Sequence, residues 1–375
     1  MHLSDTKPEN EMSDPIRKIY AQFLTEGTYL SCQPYGNGHI HDTFLITTSE
    51  QDKDDYILQK VNCNIFKKIP ELQQNIERVT EHLKKKISAS PGSNVSRECL
   101  NIIYAENGKS WITDRYMNYW RMFVFIPEHK SYDIVDSPEK AFQGGKAIGR
   151  FQAMLADLDG EPLFETIPDF QDITLRIQAF DNILKTNPVK RLESVLNEVR
   201  FIQERADKMQ VIMRLVKSGK IPIRITHNDT KFNNILFDKN DKALCMIDLD
   251  TVMPGYIHYD FGDALRTAAS STSEDEEDVS RVKMDIDLFR SFSEGYLTET
   301  ASTLSSTEKE YLALSPIVLT YTQAVRFLTD YLSGDTYYKI RHEYHNLQRT
   351  RAQIALVKSM EEQYTDMQRI IVKLR

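Results

Sequence analysis

The chain has 375 residues, a formal net charge of -8 and a pI of about 5.7. That length exceeds what one hydrophobic core usually covers and predicts two lobes. The acidic balance excludes general affinity for nucleic acid or an anionic membrane, because both need a basic face, so any phosphate-bearing ligand must be held by a few local groups.

The opening stretch, MHLSDTKPENEMSDP, lacks the apolar core of a signal peptide, and no later stretch reaches membrane-spanning length, which predicts a cytoplasmic protein. Cys32, Cys63, Cys99 and Cys245 have the spacing of neither a zinc site nor a disulfide framework; they read as buried free thiols. Ile16, Ile19, Tyr20, Phe23 and Leu24 recur at helical spacing, with Pro15 placed for a first turn and Gly27 just past the end. From Thr28 to about Pro127 the pattern turns to strands: TFLIT, YILQKV, and NIIYAENGKSWIT, whose Asn-Gly pair predicts a hairpin. One helix interrupts them, ELQQNIERVTEHLKKK, with Leu72, Ile76, Val79 and Leu83 as its apolar stripe. Beyond FVFIPEHKSYD helices dominate, from PEKAFQGGKAIGRFQAMLADL through a long span near 190–218 to a final one from His345 to Leu374. SSTSEDEEDVS, with its acidic run at 274–278, reads as a solvated loop.

Within the helical part, ITHNDTKFNNILFD sets His, Asp, Lys and two asparagines between apolar runs. The sequence ILF, DKND, ALCMID then reads as a hairpin with strands of about five residues. Such a hairpin sets Asn234 beside Asp248, and strand alternation gives Asp248 and Asp250 a common face. Oxygen donors converging near Asp229 suit magnesium better than zinc. An aspartate five positions ahead of an asparagine, near a metal site, is what phosphoryl transfer uses: a base for the acceptor hydroxyl and ligands for the metal on the phosphates.

HNDTKFNN followed by IDLD resembles the catalytic and metal-binding motifs of the aminoglycoside phosphotransferase and choline kinase superfamily, relatives of protein kinases. The resemblance implies an α+β, two-lobed protein-kinase-like fold, with a small antiparallel-sheet N-lobe and a larger, mostly helical C-lobe. It makes Asp229 the catalytic aspartate, Asn234 and Asp248 the metal ligands and Asp250 an auxiliary one, with Mg2+ as the metal and ATP as co-substrate. Domain boundaries follow at 1–27 for the N-terminal helix, 28–125 for the nucleotide-binding N-lobe and 126–375 for the helical lobe with its catalytic loop and sugar site. The DFG triplet at Asp260–Gly262 falls after Pro254 and Gly255, outside the hairpin; Asp260 or Asp263 reads as a cap for the helix ALRTAAS or a brace for the catalytic loop.

In the first lobe, the turn containing Gly36, Asn37 and Gly38 lets bare backbone approach phosphates. It lacks the third glycine and following helix of a dinucleotide fold. Lys60 is the choice for the α- and β-phosphates, with Gln59 in its place if the register shifts by one, and Glu77 or Asn75 as the helix partner. Adenine would lie against backbone near Phe125 and Ile126.

The longer strings PYGNGHIHDTF, IPDFQD, IDLDTVMPG, YDFGDALR and RFLTDYLSGDTYY, taken with HNDTKFNN, look like the N-acetylhexosamine 1-kinases. Those enzymes phosphorylate the anomeric hydroxyl of N-acetylglucosamine and N-acetylgalactosamine in amino-sugar salvage. The implied partners are ATP and a small sugar, bound by His39, Asp229, Arg326, Asp330 and Tyr337. Arg326 and Asp330, four apart on one helix face, equally suit an ordinary ion pair.

Overall fold

The computed structural model describes residues 9–36 and 40–374. Contacts divide the chain into two compact units, Met1–His129 and Lys130–Arg375.

The first unit is built on an antiparallel sheet. Its strands are β1 (Tyr29–Pro34), β2 (Asp42–Thr48), β3 (Tyr56–Lys60), β4 (Ile102–Ile103), β5 (Trp111–Thr113) and β6 (Tyr119–Val124), in the order β1-β2-β3-β6-β4, with β5 also on β6. Helix α1 (Glu9–Tyr20) starts early enough to put Pro15 inside the helix rather than in its first turn. Ile16, Ile19, Tyr20 and Phe23 pack with Ile46, Tyr56, Leu58, Trp120 and Met122 in one core. Leu24, read from spacing as part of that stripe, lies beyond the helix and is exposed.

The same packing fixes which way β3 faces. Tyr56 and Leu58 point into the α1 core, so alternation puts Lys60 at the end of that face, directly across from Asp42 and Trp120. Lys60 forms an ion pair with Asp42 at 3.8 Å, where Glu77 or Asn75 was the expected helix partner. Gln59 points the other way. Its amide donates to Thr43 Oγ1 at 3.1 Å and its oxygen accepts from Arg121 Nε at 3.0 Å.

Segment 101–113 is not a hairpin. Both β4 and β5 pair with β6, Ile102 opposite Phe123 and Trp111 opposite Arg121, so the segment is one interrupted strand along a single edge. The Asn107-Gly108 turn is real, closed by the Ala105 N–H to the Lys109 carbonyl at 2.8 Å, but it only loops out of that strand. Helix α2 (Ile69–Ser88) buries Leu72, Ile76, Val79 and Leu83, the stripe read from spacing, and α3 (Val95–Glu98) is a single turn.

The second unit is mostly helical: α4 (Pro138–Leu155), α5 (Ile173–Thr186), α6 (Leu196–Met209), α7 (Val211–Lys217), α8 (Ile257–Ala268), α9 (Ile286–Thr300), α10 (Ser306–Tyr311), α11 (Ser315–Ser333), α12 (His345–Glu362) and α13 (Tyr364–Leu374). The span near 190–218 is therefore two helices parted at Gln210, and the last helix is broken at Gln363. Helices α4 and α9 cross at glycines. A Cβ on Gly145 would fall 2.0 Å from the Phe292 carbonyl oxygen, and one on Gly295 would fall 2.0 Å from that of Phe142. This crossing holds Gln152 of α4 against Tyr296 of α9, whose hydroxyl donates to Gln152 Oε1 at 2.6 Å.

Four short strands interrupt the helices and carry the polar loop: β7 (Arg224–Thr226) pairs with β10 (Met253–Gly255), and β8 (Ile235–Phe237) pairs with β9 (Ala243–Met246). The β8–β9 strands have three and four residues, shorter than read from sequence.

Two other sequence expectations give way in part. The acidic run is a loop held down over its first half, where Glu274 pairs with Arg266 at 2.5 Å, Asp275 with His345 at 3.3 Å and Glu276 with Arg281 at 3.3 Å, while Glu277 and Asp278 are exposed as expected. The cysteines are free, but only Cys99 and Cys245 are buried; Cys32 is half-buried and Cys63 exposed. Among the described residues, no helix is long and apolar enough to cross a membrane.

Candidate active site

The site grows from the stretch after β7. Its backbone turns at Asn228, which has φ of 65°, a left-handed conformation that asparagine tolerates better than most residues. Asn228 Nδ2 donates to the Thr251 carbonyl at 2.9 Å, and the Thr251 hydroxyl donates to the His227 carbonyl at 2.6 Å. A side chain at Gly255 would meet Thr226 Oγ1 at 2.2 Å, so β10 approaches β7 only because position 255 has none.

The turn is held from beneath by Asp260, in the first turn of α8 and fully buried. Its carboxylate accepts from the His227 N–H at 2.8 Å, the Asn228 N–H at 2.7 Å and Gln152 Nε2 at 2.7 Å, and its own carbonyl accepts from the Thr230 hydroxyl at 2.7 Å. Burial pushes the Asp260 carboxyl above the ordinary carboxylate range, opposed by these donors. The aspartate of DFG thus braces the loop, the second of its two expected roles. It caps nothing, since the helix already starts at Ile257. Asp263, the other candidate, pairs with buried Arg266 at 3.1 Å.

Asp229 projects from this braced loop. One carboxylate oxygen pairs with Lys231 Nζ at 3.1 Å and the other accepts from Asn234 Nδ2 at 3.2 Å; the same Nδ2 also donates to the Asp229 carbonyl at 2.9 Å. Burial raises the Asp229 carboxyl, but the Lys231 ammonium and the His227 ring outweigh it and hold the group below the usual value. Lys231 is correspondingly raised by the Asp229 charge. Sequence pattern offered no signal for Lys231 beyond a lysine two positions after the aspartate.

Asn234 spends its amide hydrogens on Asp229, which turns its side-chain oxygen away from that residue. Its carbonyl accepts from the Ile247 N–H at 2.9 Å, so Asp248 follows immediately after Asn234's ladder partner. Alternation does not relate Asp248 to Asp250, however. Asp248 has φ of 61°, and Leu249–Thr251 form a tight turn in place of a strand; Asp248 is half-buried and Asp250 buried. The turn nevertheless brings carboxylate oxygens of Asp248 and Asp250 within 4.8 Å of one another, and oxygen donors of this kind suit a hard divalent cation better than zinc.

The remaining candidates of this unit lie on α5, α11 and the loops beside them. Asp330 does not pair with Arg326. It is buried and accepts from the N–H groups of Thr336, Tyr337 and Tyr338, at 2.9, 2.8 and 2.9 Å, and from Asn346 Nδ2 at 2.9 Å. These four donors fill a carboxylate's acceptor positions, so Asp330 shapes the loop that presents Tyr337 rather than offering itself to a sugar. Arg326 lies 5.9 Å from the Phe170 ring, 5.9 Å from Tyr337 and 5.6 Å from Tyr338, and donates to Gln323 Oε1 at 3.2 Å. Arg176, which sequence reading missed, donates to the Phe170 carbonyl at 2.8 Å. The next residue, Gln171, donates from Nε2 to the Asn228 carbonyl at 3.2 Å, so this aromatic and basic cluster is tied to the loop of Asp229.

In the first unit, Gly36 has φ of 74° with open space where a Cβ would stand. Its neighbour Tyr35 packs edge-on against Phe125, 5.7 Å between centroids, and meets His129 Nε2 at 3.1 Å. Phe125 donates its N–H to the Asp55 carbonyl, and Ile126 is buried. Asn37, Gly38 and His39 lie outside the described residues.

A sheet unit with one long helix, and a helical unit holding a braced His-Asn-Asp loop ahead of a short hairpin, define a two-lobed kinase-like phosphotransferase fold. Residues 31–290 match the model of the phosphotransferase enzyme family, and the chain belongs to that family. An aminoglycoside phosphotransferase from Alicyclobacillus acidocaldarius subsp. acidocaldarius DSM 446 is similar over 97% of this chain and 98% of its own, with 10% identity and a TM-score of 0.60. A choline kinase from Cryptosporidium parvum Iowa II is similar over 96% of this chain and 97% of its own, with 14% identity and a TM-score of 0.57. An amicoumacin kinase in complex with AMP-PNP and Ca2+ is similar over 91% of this chain and 92% of its own, with 12% identity and a TM-score of 0.56. Identities this low carry the fold and no more.

Proposed function

We propose that the protein is a small-molecule kinase that transfers the terminal phosphoryl group of ATP to the anomeric hydroxyl of an N-acetylhexosamine. The observation that carries the reading is the clamped carboxylate of Asp229, held between Lys231 and Asn234 on a loop that α8 braces. A carboxylate kept ionised and fixed in direction can orient an acceptor hydroxyl and take its proton as the bond to phosphorus forms. Lys231 then stands beside the oxygens on which charge develops.

Asn234 and Asp248 would hold Mg2+, with Asp250 as auxiliary. The ion would neutralise phosphate charge, and the Ca2+ in the amicoumacin kinase complex is a divalent cation of the same class. Backbone around Gly36, Asn37 and Gly38 would cover the phosphates, and Phe125 and Ile126 would border the adenine. His39, Arg326 and Tyr337 would contact the sugar.

The structural relatives act on several classes of acceptor, and one feature favours a sugar over a cation. Arg176 and Arg326 put two positive charges beside the loop of Asp229, where choline or an aminoglycoside would bring a third. Release of ADP measured with N-acetylglucosamine, N-acetylgalactosamine, choline, kanamycin and homoserine tests the reading directly. Turnover confined to the two amino sugars supports it, and turnover confined to any of the others overturns it. Phosphorus NMR of the product should show coupling to the anomeric proton; coupling to the C6 protons would contradict the assignment to O1.

A further inference from the structure

Arg176 on α5 and Arg326 on α11 converge on one residue, Phe170. Arg176 donates to its carbonyl and Arg326 lies over its ring. Among the described residues, neither guanidinium has a carboxylate within ion-pair distance, and Arg176 Nε is buried without a hydrogen-bond partner. Burial, and then the charge of Arg326, pull Arg176 below its ordinary value, offset in part by Tyr337, Tyr338 and Asp169.

Two like charges that meet at one residue, one of them with a buried unsatisfied donor, are costly unless a ligand brings negative charge to them. Three other half-buried arginines have carboxylate partners, Arg191 with Asp335, Arg205 with Glu361 and Arg224 with Glu308, whereas half-buried Arg349 donates only to the Lys339 carbonyl and Asn346 Oδ1. The planar guanidinium fork matches the two oxygens of a carboxylate. Tyr337, exposed beside Arg326, offers a flat face for a sugar ring. Gln171 links this place to the Asn228 carbonyl, one residue before Asp229, so a group bound here belongs to the acceptor.

We propose that Arg176 and Arg326 form a subsite for a carboxylate carried by the acceptor, so that the preferred substrate is an acidic N-acetylhexosamine, a uronate or a carboxyalkyl ether. The inference rests on the reading of Asp229 as the group that faces the acceptor hydroxyl. The test compares kcat/KM, at low salt, for N-acetylglucosamine, its uronic acid and its 3-O-lactyl ether. The expected result is a preference of about tenfold to hundredfold for one of the acids, the usual range for one or two charge-assisted hydrogen bonds. Arg176→Met should reduce that preference at least tenfold, and Arg176→Lys should restore part of it, which a merely structural role would not produce. Turnover of neutral amino sugars with no preference for either acid overturns the inference and leaves the proposed function standing. Where no hexosamine is turned over, the proposed function fails instead, and calorimetry with the uronic acid decides. Binding that Arg176→Met abolishes at unchanged Tm supports the subsite. Binding no tighter than that of the neutral sugar, or equalled by free acetate or phosphate, refutes it.

Discussion

Replacing Asp260 by asparagine separates a brace from a metal ligand. The carboxylate receives two backbone N–H groups and one side-chain amide, all at 2.7–2.8 Å, in a fully buried position. An asparagine whose oxygen faces His227 and Gln152 turns its own NH2 on the Asn228 N–H. That loses one charge-assisted bond and leaves two donors opposed, a cost of about 2–4 kcal/mol. Relief from burying a charge offsets part of this, so a net loss of roughly 1–3 kcal/mol remains. Thermal unfolding should register a fall in Tm of about 3–8 °C. The loop that carries Asp229 is displaced at the same time, and kcat should fall by about tenfold to hundredfold, the order of effect expected from a misplacement of an ångström or less. The Mg2+ concentration for half-maximal rate should not move. A variant with wild-type Tm and a raised Mg2+ requirement would show that the DFG aspartate is a metal ligand and would refute the bracing argument.

Asp229→Asn keeps size and most hydrogen bonds but removes basicity, so kcat should fall by about 10²- to 10⁴-fold with ATP binding little changed; a folded variant of near-normal kcat would end the catalytic reading. Asp248→Ala should abolish turnover more completely than Asp250→Ala, manganese should substitute for magnesium and zinc should not, and full activity in excess chelator would contradict the metal site. For pH, the folded Asp229 carboxyl sits below its ordinary 3.8. Its charged form and the stability it contributes are therefore fully present above that value and are lost as pH falls through the lower folded one. Lys231→Met removes the main group that lowers it, so the acid limb of kcat should move to higher pH; an unmoved limb counts against the pair. Thiol labelling of the native protein should modify Cys63 first and Cys99 last, because Cys99 is buried and its thiol is pushed up to about 11.

What the sequence disclosed was local in origin. The α2 stripe from Leu72 to Leu83 and the run from His227 to Asn234 could be read because neighbours along the chain decide them. The misreadings have distant causes. An Asn-Gly turn promised a hairpin at 101–113, yet both flanks found a better partner in β6. Arg326 and Asp330 have helical ion-pair spacing, but the loop after Gly334 folds back and delivers three N–H groups to Asp330, which removes it from Arg326. Asp248 and Asp250 do converge, with carboxylate oxygens within 4.8 Å, but through a left-handed turn at 248 and not through strand alternation. The choice between Lys60 and Gln59 stayed open for the same kind of reason: the α1 core, formed from residues forty positions upstream, decides which way their strand faces.

The glycine crossing of α4 and α9 has a consequence for inheritance. Gly145 and Gly295 each lie against the other helix's backbone, so a single added methyl group at either must push the helices apart. The helix that moves carries Gln152, whose amide reaches Asp260, and Asp260 fixes the loop of Asp229. A lineage that lost either glycine would displace that loop by a lesion far from it in sequence. Restoring activity would require a change on the facing helix, so the two elements are bound to vary together or not at all.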